Sequence, residues 1–168
     1  MSIVFETERL NIRPFTLQDT AFIIELVNSE GWLKNIGDRN IKNTTDAEAY
    51  LANGPIKSYT QHNFGLWMVE LKNNHSPIGM CGLIKRDTLP NPDIGFAFLP
   101  AFEKQGYAFE AAQATMQYAT NALKLPTVLA ITLPENSSSI KLLNKIGLQF
   151  VEHITMPGDD EKLMLFSN

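Results

Sequence analysis

The sequence predicts an α+β fold in which one sheet is covered by helices, and three observations carry that reading. Runs of β-type composition recur along the chain, helix-period segments stand among them, and short turn clusters rather than linkers separate the two. A length of 168 residues with 44% hydrophobic side chains fills one ordinary core, so residues 1–168 are expected to form one domain. The sequence has no internal repeat and no low-complexity tract.

Taken in order, "RLNIRPF" (9–15) reads as a first strand with Leu10 and Ile12 on one face. Thr16 then opens a helix, with Asp19 as its capping-box partner and an apolar run at Phe22, Ile23, Leu26 and Val27. A polar stretch (28–43) leads to "TDAEAYLA", where Thr45 and Glu48 offer a second capping box. "FGLWMVEL", "PIGMCGLIK" and "DIGFAFL" are β-type runs divided by the turn clusters "KNNHS" and "RDTLPNP", which predicts consecutive antiparallel strands. After Gly106, the positions Ala108, Ala111, Ala112, Thr115, Met116, Ala119 and Leu123 follow one helix face. "TVLAITL" reads as a buried strand, "SSSIKLLNKI" as an amphipathic helix stopped by Gly147, and "LQFVEHI" and "KLMLF" as closing strands. The predicted order is β-α-α-β-β-β-α-β-α-β-β.

The totals exclude several functions. Fourteen Lys and Arg against 18 Asp and Glu give a net charge of −4, and no basic run exceeds Lys85-Arg86, so a nucleic-acid partner is not expected. The start "MSIVFETERLNIRPF" lacks the basic and apolar regions of a leader, and no segment reaches the roughly 18 apolar residues of a membrane span. A soluble, cytoplasmic protein is the expectation. The single cysteine, Cys81, sits in an apolar run and suits a buried position in a reducing compartment. His62, His75 and His153 have no partner at helical spacing and no neighbouring cysteine, so no metal site is expected.

The stretch "LPAFEKQGYAFEAAQATMQYA" (99–119) places Gly106 and Ala108 at the start of the long helix. A helix N-terminus carries unpaired N–H groups and the positive end of the macrodipole, and small residues there let an anion approach the backbone. Equally, Gly106 could relieve a tight loop and Ala108 could pack. Neither G-x-x-x-x-G-K-[ST] nor G-x-G-x-x-G occurs, which removes most support for nucleotide-triphosphate and dinucleotide sites.

With "ETERLNIRPFTLQD", "PIGMCGLI", "PDIGFAFLPAFEKQGYAFEAA" and "PENSSSIKLLNKIGLQFV" in this order, the chain resembles the GNAT (Gcn5-related) N-acetyltransferases, in particular the RimJ/RimL-like branch of ribosomal-protein N-terminal acetyltransferases. The resemblance implies the GNAT acyl-CoA N-acyltransferase fold, a mixed and mostly antiparallel sheet splayed between the fourth and fifth predicted strands. It also implies acetyl-CoA as cosubstrate. The family pattern [QR]-x-x-G-x-[GA], which wraps the diphosphate with backbone N–H groups, falls on residues 103–108. Lys104, Gln105, Gly106, Tyr107 and Ala108 are thereby assigned to the cofactor. Glu103 stands where relatives carry Gln or Arg, and Lys104 where many carry another Gly. The resemblance further assigns the strand residues Phe96, Ala97, Phe98 and Leu99 to the pantetheine arm, Asn136 to the same arm, and Ser139 to the neighbourhood of the sulfur. Asn136 and Ser139 also suit helix capping.

Acetyl transfer to an amine requires a neutral amine, a polarised thioester and a protonated leaving thiolate. Alternation in "PDIGFAFL" puts Asp93 on the face of Gly95 and Ala97, and relatives often carry a carboxylate there. Asp93 is the expected base, although a solvated carboxylate at a strand end is the competing reading. No Tyr follows Asn136 in the next helix, so Ser139 is the expected acid, with Ser138 as substitute. The acceptor pocket of this branch maps to "NSEGWLKNIGDRNIKN" and "MPGDDE". There Trp32 is an aromatic wall or a core residue, and His153, or Glu152 beside it, would reach the cleft from a strand end. Glu30, Asp38, Asp159 and Asp160 would suit a cationic amine. The expected activity is direct transfer of acetyl from acetyl-CoA to a primary amine, on a protein N-terminus or a small molecule, in a ternary complex. A non-catalytic acyl-CoA-binding module is the alternative, and a longer acyl donor or an alcohol acceptor a further one. A monomer or a homodimer fits equally.

Overall fold

The computed structural model describes residues 2–168. One eight-stranded sheet runs in the order β1-β2-β3-β4-β5-β6-β8-β7. Its strands are β1 (Phe5–Glu6), β2 (Leu10–Arg13), β3 (Leu66–Leu71), β4 (Pro77–Ile84), β5 (Asp93–Phe98), β6 (Leu129–Thr132), β7 (Gln149–Ile154) and β8 (Leu163–Ser167). Every neighbouring pair is antiparallel except β5 and β6, which are parallel. The expected mixed, mostly antiparallel sheet is therefore present.

Two apolar clusters lie on opposite faces of this sheet. On one, Leu10, Ile12, Trp67, Val69, Cys81, Leu83, Ile94 and Phe98 pack with Ala111, Ala112 and Ala119 of α5 (Tyr107–Asn121) and Leu143 of α6 (Ser137–Lys145). Small residues along α5 let that helix lie close to the strands, with Thr115 Oγ1 3.3 Å from Cys81 Sγ. Burial pushes the Cys81 thiol pKa up to about 12, so it stays protonated. On the other face, Met68 and Met80 pack with Phe22, Ile23, Leu26 and Val27 of α1 (Thr20–Val27) and with Ala47 and Leu51 of α3 (Thr44–Leu51).

The structure departs from the sequence reading around these helices. Residues 5–6 add a short strand by pairing with Ile12 and Asn11. The Thr16 and Asp19 capping box is present, but it opens a 3₁₀ turn, Leu17–Asp19, that runs into α1. The polar stretch contains α2 (Glu30–Asn35), whose only buried residue is Trp32. α3 starts at Thr44 because Asn43 Oδ1 accepts the Asp46 N–H, which displaces the expected cap at Thr45. Beyond α3 the helix continues through a π-helical turn, Ala52–Ile56, into α4 (Lys57–His62). Pro55 lies inside that turn, where the missing N–H would break an α-helical ladder. Among the described residues no helix is long and apolar enough to cross a membrane.

A buried charge cluster joins α1 to the sheet. The Arg13 guanidinium donates to Asp19 through Nη1 and Nη2, each at 3.0 Å, and to Glu70 through Nε at 3.0 Å. All three side chains are largely shielded from solvent. Removing the cation leaves two carboxylates in a dry environment, so Arg13→Met is expected to cost about 3 kcal/mol. Urea unfolding of both proteins at pH 7 measures that loss.

Candidate active site

The site begins where the sheet parts. β5 pairs with β4 along its whole length, but only Asp93 pairs with Leu129 of β6. Leu129 N–H donates to Pro92 O on the β6 side, whereas Leu99 N–H donates to Ile78 O on the β4 side. Alternate residues of a strand present their main-chain groups to opposite edges. Phe96 and Phe98 therefore turn N–H and C=O into the gap, while Ala97 and Leu99 spend theirs on β4. Of the four strand residues expected to serve the pantetheine arm, Leu99 is buried and stands outside the cleft.

The gap opens into a cleft of about 1500 Å³. Lys104, Gly106 and Ala108 line it, and so does Phe109, which the sequence reading missed. Lys104 and Gly106 both adopt left-handed backbone, at φ 60° and 86°, so the chain turns sharply before α5 begins. Along residues 106–109 no backbone N–H finds an acceptor among the described residues. The first bond of α5 is the Glu110 N–H to Gly106 O. Gln105 and Tyr107 do not line the cleft. The Gln105 side chain folds back onto Ala101 O at 2.8 Å, and the Tyr107 ring lies beneath Arg9.

Asp93 stands where the gap closes. Its side chain is not a solvated strand-end carboxylate, for only 1% of the residue is exposed. Burial raises its pKa above the ordinary carboxylate range, and Arg86, whose Nε donates to Oδ1 at 2.9 Å, opposes the shift only in part. Arg86 is the partner that the sequence reading lacked. The signal was present, because the β4–β5 hairpin pairs Ile84 with Asp93 and carries Arg86 two residues into the turn.

Across the gap, Asn136 caps α6 by accepting the Ser139 N–H at 3.3 Å, and both residues line the cleft with Ser138. The Ser139 hydroxyl has no hydrogen-bond partner among the described residues. On the far wall the segment 29–41 runs along the cleft as expected. Trp32 lines the cleft and also belongs to the second core cluster at 6% exposure, and its Nε1 has no hydrogen-bond partner among the described residues. His153 does not reach the site. β7 is the last strand of the sheet, separated from β6 by β8, and His153 lies exposed against Phe150. Glu152, Asp38, Asp159 and Asp160 also lie outside the cleft lining. Lys34, Arg39, Lys57 and Lys85 line it instead, and none forms an ion pair among the described residues. No group of three or more His, Cys, Asp or Glu side chains there could hold a metal ion.

Comparison with known proteins bears on the family and the fold. The family described as acetyltransferase (GNAT) domain matches residues 9–149. The chain is 29% identical over 143 residues to the uncharacterized N-acetyltransferase YnaD of Bacillus subtilis (strain 168), covering 85% of this chain and 81% of that one. It superimposes on an acetyltransferase from Agrobacterium tumefaciens str. C58 with a TM-score of 0.82 at 23% identity, over 100% of this chain and 95% of the other. The ribosomal L7/L12 α-N-protein acetyltransferase RimL, solved in complex with coenzyme A, gives 0.84 at 12% identity over 99% and 97%.

Asp93 offers a test that needs no ligand. A carboxyl group whose pKa is raised by folding favours the folded state fully only below its unfolded pKa, and loses that contribution as pH rises through the folded value. Asp93→Asn is therefore expected to melt at or above the wild-type temperature at pH 7.5. The advantage should vanish at acid pH, as thermal melts across the range would register.

Proposed function

The chain belongs to the GNAT acetyltransferase domain family, a family of acyltransferases, and from that premise we propose that it moves the acetyl group of acetyl-CoA to a primary amine by direct attack in a ternary complex. One observation carries the reading. A buried carboxylate with a raised pKa and a row of unsatisfied N–H groups open into the same cleft, on either side of a strand edge that has no partner. A non-catalytic binding module needs the second and third of these but not the first.

The residues present fit the cosubstrate. Unpaired N–H groups at 106–109 suit a diphosphate, and Lys104 adds a positive charge. Phe96 and Phe98 offer main-chain donors and acceptors that match the amides of a pantetheine arm. Acetyl-CoA, when bound, supplies an activated thioester carbonyl. Asp93 takes the proton that the amine nitrogen loses as its bond to the carbonyl carbon forms. Ser139 donates its hydroxyl proton to the sulfur as the carbon–sulfur bond breaks, and solvent restores it. Cys81 has no part in this route, because it is buried between β4 and α5 and stays protonated.

The lining also bears on the acceptor. The acids Glu30, Asp46 and Asp93 face the bases Lys34, Arg39, Lys57, Lys85 and Arg86 on the walls away from the 103–109 loop. This excess of cations, in a chain of net charge −4, favours an amine that also carries a carboxylate or phosphate over the simple cationic amine that Glu30, Asp38, Asp159 and Asp160 suited in the sequence. A protein N-terminus and a small molecule both fit that description.

Calorimetric titration of acetyl-CoA into wild type and Gly106→Trp tests the cradle. Wild type is expected to bind and the variant to lose binding at least about tenfold, since an indole at φ 86° strains the turn and its Cβ would press on Arg9 Nη2, 3.2 Å away, forcing the loop out of shape. Absence of binding to wild type would sink the proposal. In a screen of amines, Asp93→Asn is expected to lower kcat about 100-fold. The wild-type rate should fall with acidification through a pKa above that of an ordinary aspartate. Binding without turnover of any amine would point to the binding module instead.

A further inference from the structure

Arg9 precedes β2, far in sequence from the cleft, yet its contacts converge on the loop that opens α5. Its Nη1 donates to Gln105 O at 3.1 Å, and its Nε to Glu110 Oε2 at 2.7 Å. The guanidinium carbon stands 4.2 Å from the centre of the Tyr107 ring, and Nη2 is 3.2 Å from the point that a Cβ on Gly106 would occupy. One side chain thus touches residues 105, 107 and 110 and closes off the space behind Gly106. Its main chain joins in, for Arg9 N–H and Thr7 Oγ1 both donate to Glu110 Oε1, at 2.9 and 2.6 Å. Burial alone would raise the pKa of the Glu110 carboxylate, but the bonds from Thr7 and Arg9 outweigh it and hold the pKa below the usual value.

Apart from Arg9, the loop is tied only locally, by the Gln105 side chain on Ala101 O and the Phe102 ring against Tyr107. Among the described residues the N–H groups of 106–109 make no bonds, and Lys104 and Gly106 both adopt left-handed backbone. A set of donors aimed at an anion is effective only when its geometry exists before the anion arrives. Arg9 itself does not line the cleft, so it grips the loop from behind. We propose that Arg9 is a positioning residue, whose planar fork holds the main chain of residues 105–110 in the shape that receives the diphosphate of the donor. This rests on the acetyl-CoA reading given above. Lysine cannot replace it, because a single ammonium cannot meet the Gln105 carbonyl, the Glu110 carboxylate and the Tyr107 face together.

Three ligands separate this role from general loosening of the protein: acetyl-CoA, inorganic diphosphate and S-acetylpantetheine, which keeps the thioester arm but lacks the diphosphate. Affinities for wild type, Arg9→Lys and Arg9→Ala would be measured by calorimetry for acetyl-CoA and by ligand-observed NMR for the weaker two. Thermal melts would confirm folding. Both variants are expected to weaken acetyl-CoA and diphosphate about tenfold while S-acetylpantetheine stays within about twofold of wild type. Equal losses on acetyl-CoA and S-acetylpantetheine, or an acetyl-CoA affinity unchanged in both variants, would overturn the inference. Should Arg9→Ala fail to fold, Arg9→Lys carries the comparison alone. If wild type binds none of the three, the functional reading falls first and takes this role with it.

Discussion

The site depends on a single strand pairing. β5 and β6 share one residue pair, Asp93 with Leu129, and then separate. Were the pairing to continue, Phe96 and Phe98 would bond to β6, and a closed sheet would stand where the cleft is. Unpaired main-chain groups inside a protein are costly, so a half-open strand needs compensation from water or from a ligand with matching amides. The rest of the fold keeps the wedge in place. β8 lies antiparallel to β6 through four residue pairs on its other edge, and β4 holds β5 from Asp93 to Phe98, so each half of the sheet is rigid up to the break.

The two helix starts that border the opening solve their N-terminal problem in different ways. α6 caps itself, since Asn136 takes the Ser139 N–H into its own side chain. α5 leaves its first N–H groups empty and is steadied instead by distant residues, with Glu110 tied to Thr7 and Arg9 about a hundred positions away. A local cap on α5 would consume the donors that face the cleft. Tethering from behind keeps the loop ordered and the donors unspent, and it explains an acidic residue in the first turn of a helix read as an anion site. Glu110 is neutralised by the guanidinium that it helps to hold.

The sequence displayed whatever depends on local period and local turn chemistry. The small-residue stripe of α5, the β5 run and the alternation that sets Asp93 beside Gly95 and Ala97 were all readable from spacing. It did not display the outcome of competition between neighbours of similar propensity. Asn43 outbids Thr45 as a cap through one geometric fit to Asp46 N–H. α2, with its Gly and its single buried Trp32, carries too little apolar period to stand out. Nor did it show sheet order. His153 looked like a strand-end residue near the cleft, and only the placement of β8 between β6 and β7 removes it. The contacts of Arg9 join residues about a hundred positions apart, a separation at which spacing carries no information.

Asp93 shows how the stability of the fold and the chemistry of its cleft are set against each other. Pro92 and a turn cluster precede it, which in most chains announces a wet strand end. Here the carboxylate is buried, at the residue where the single β5–β6 pair limits the opening. Drying raises the proton affinity of the carboxylate, which penalises the folded protein at neutral pH and at the same time makes a better proton acceptor. Arg86 opposes that shift in part, and because a third of its side chain stays exposed it does so without a second buried charge to satisfy. A stronger, fully buried partner would hold Asp93 ionised but weakly basic. With no partner the pKa would rise further. The partly exposed arginine moderates the shift without cancelling it, at the one point of the sheet where the strands begin to part.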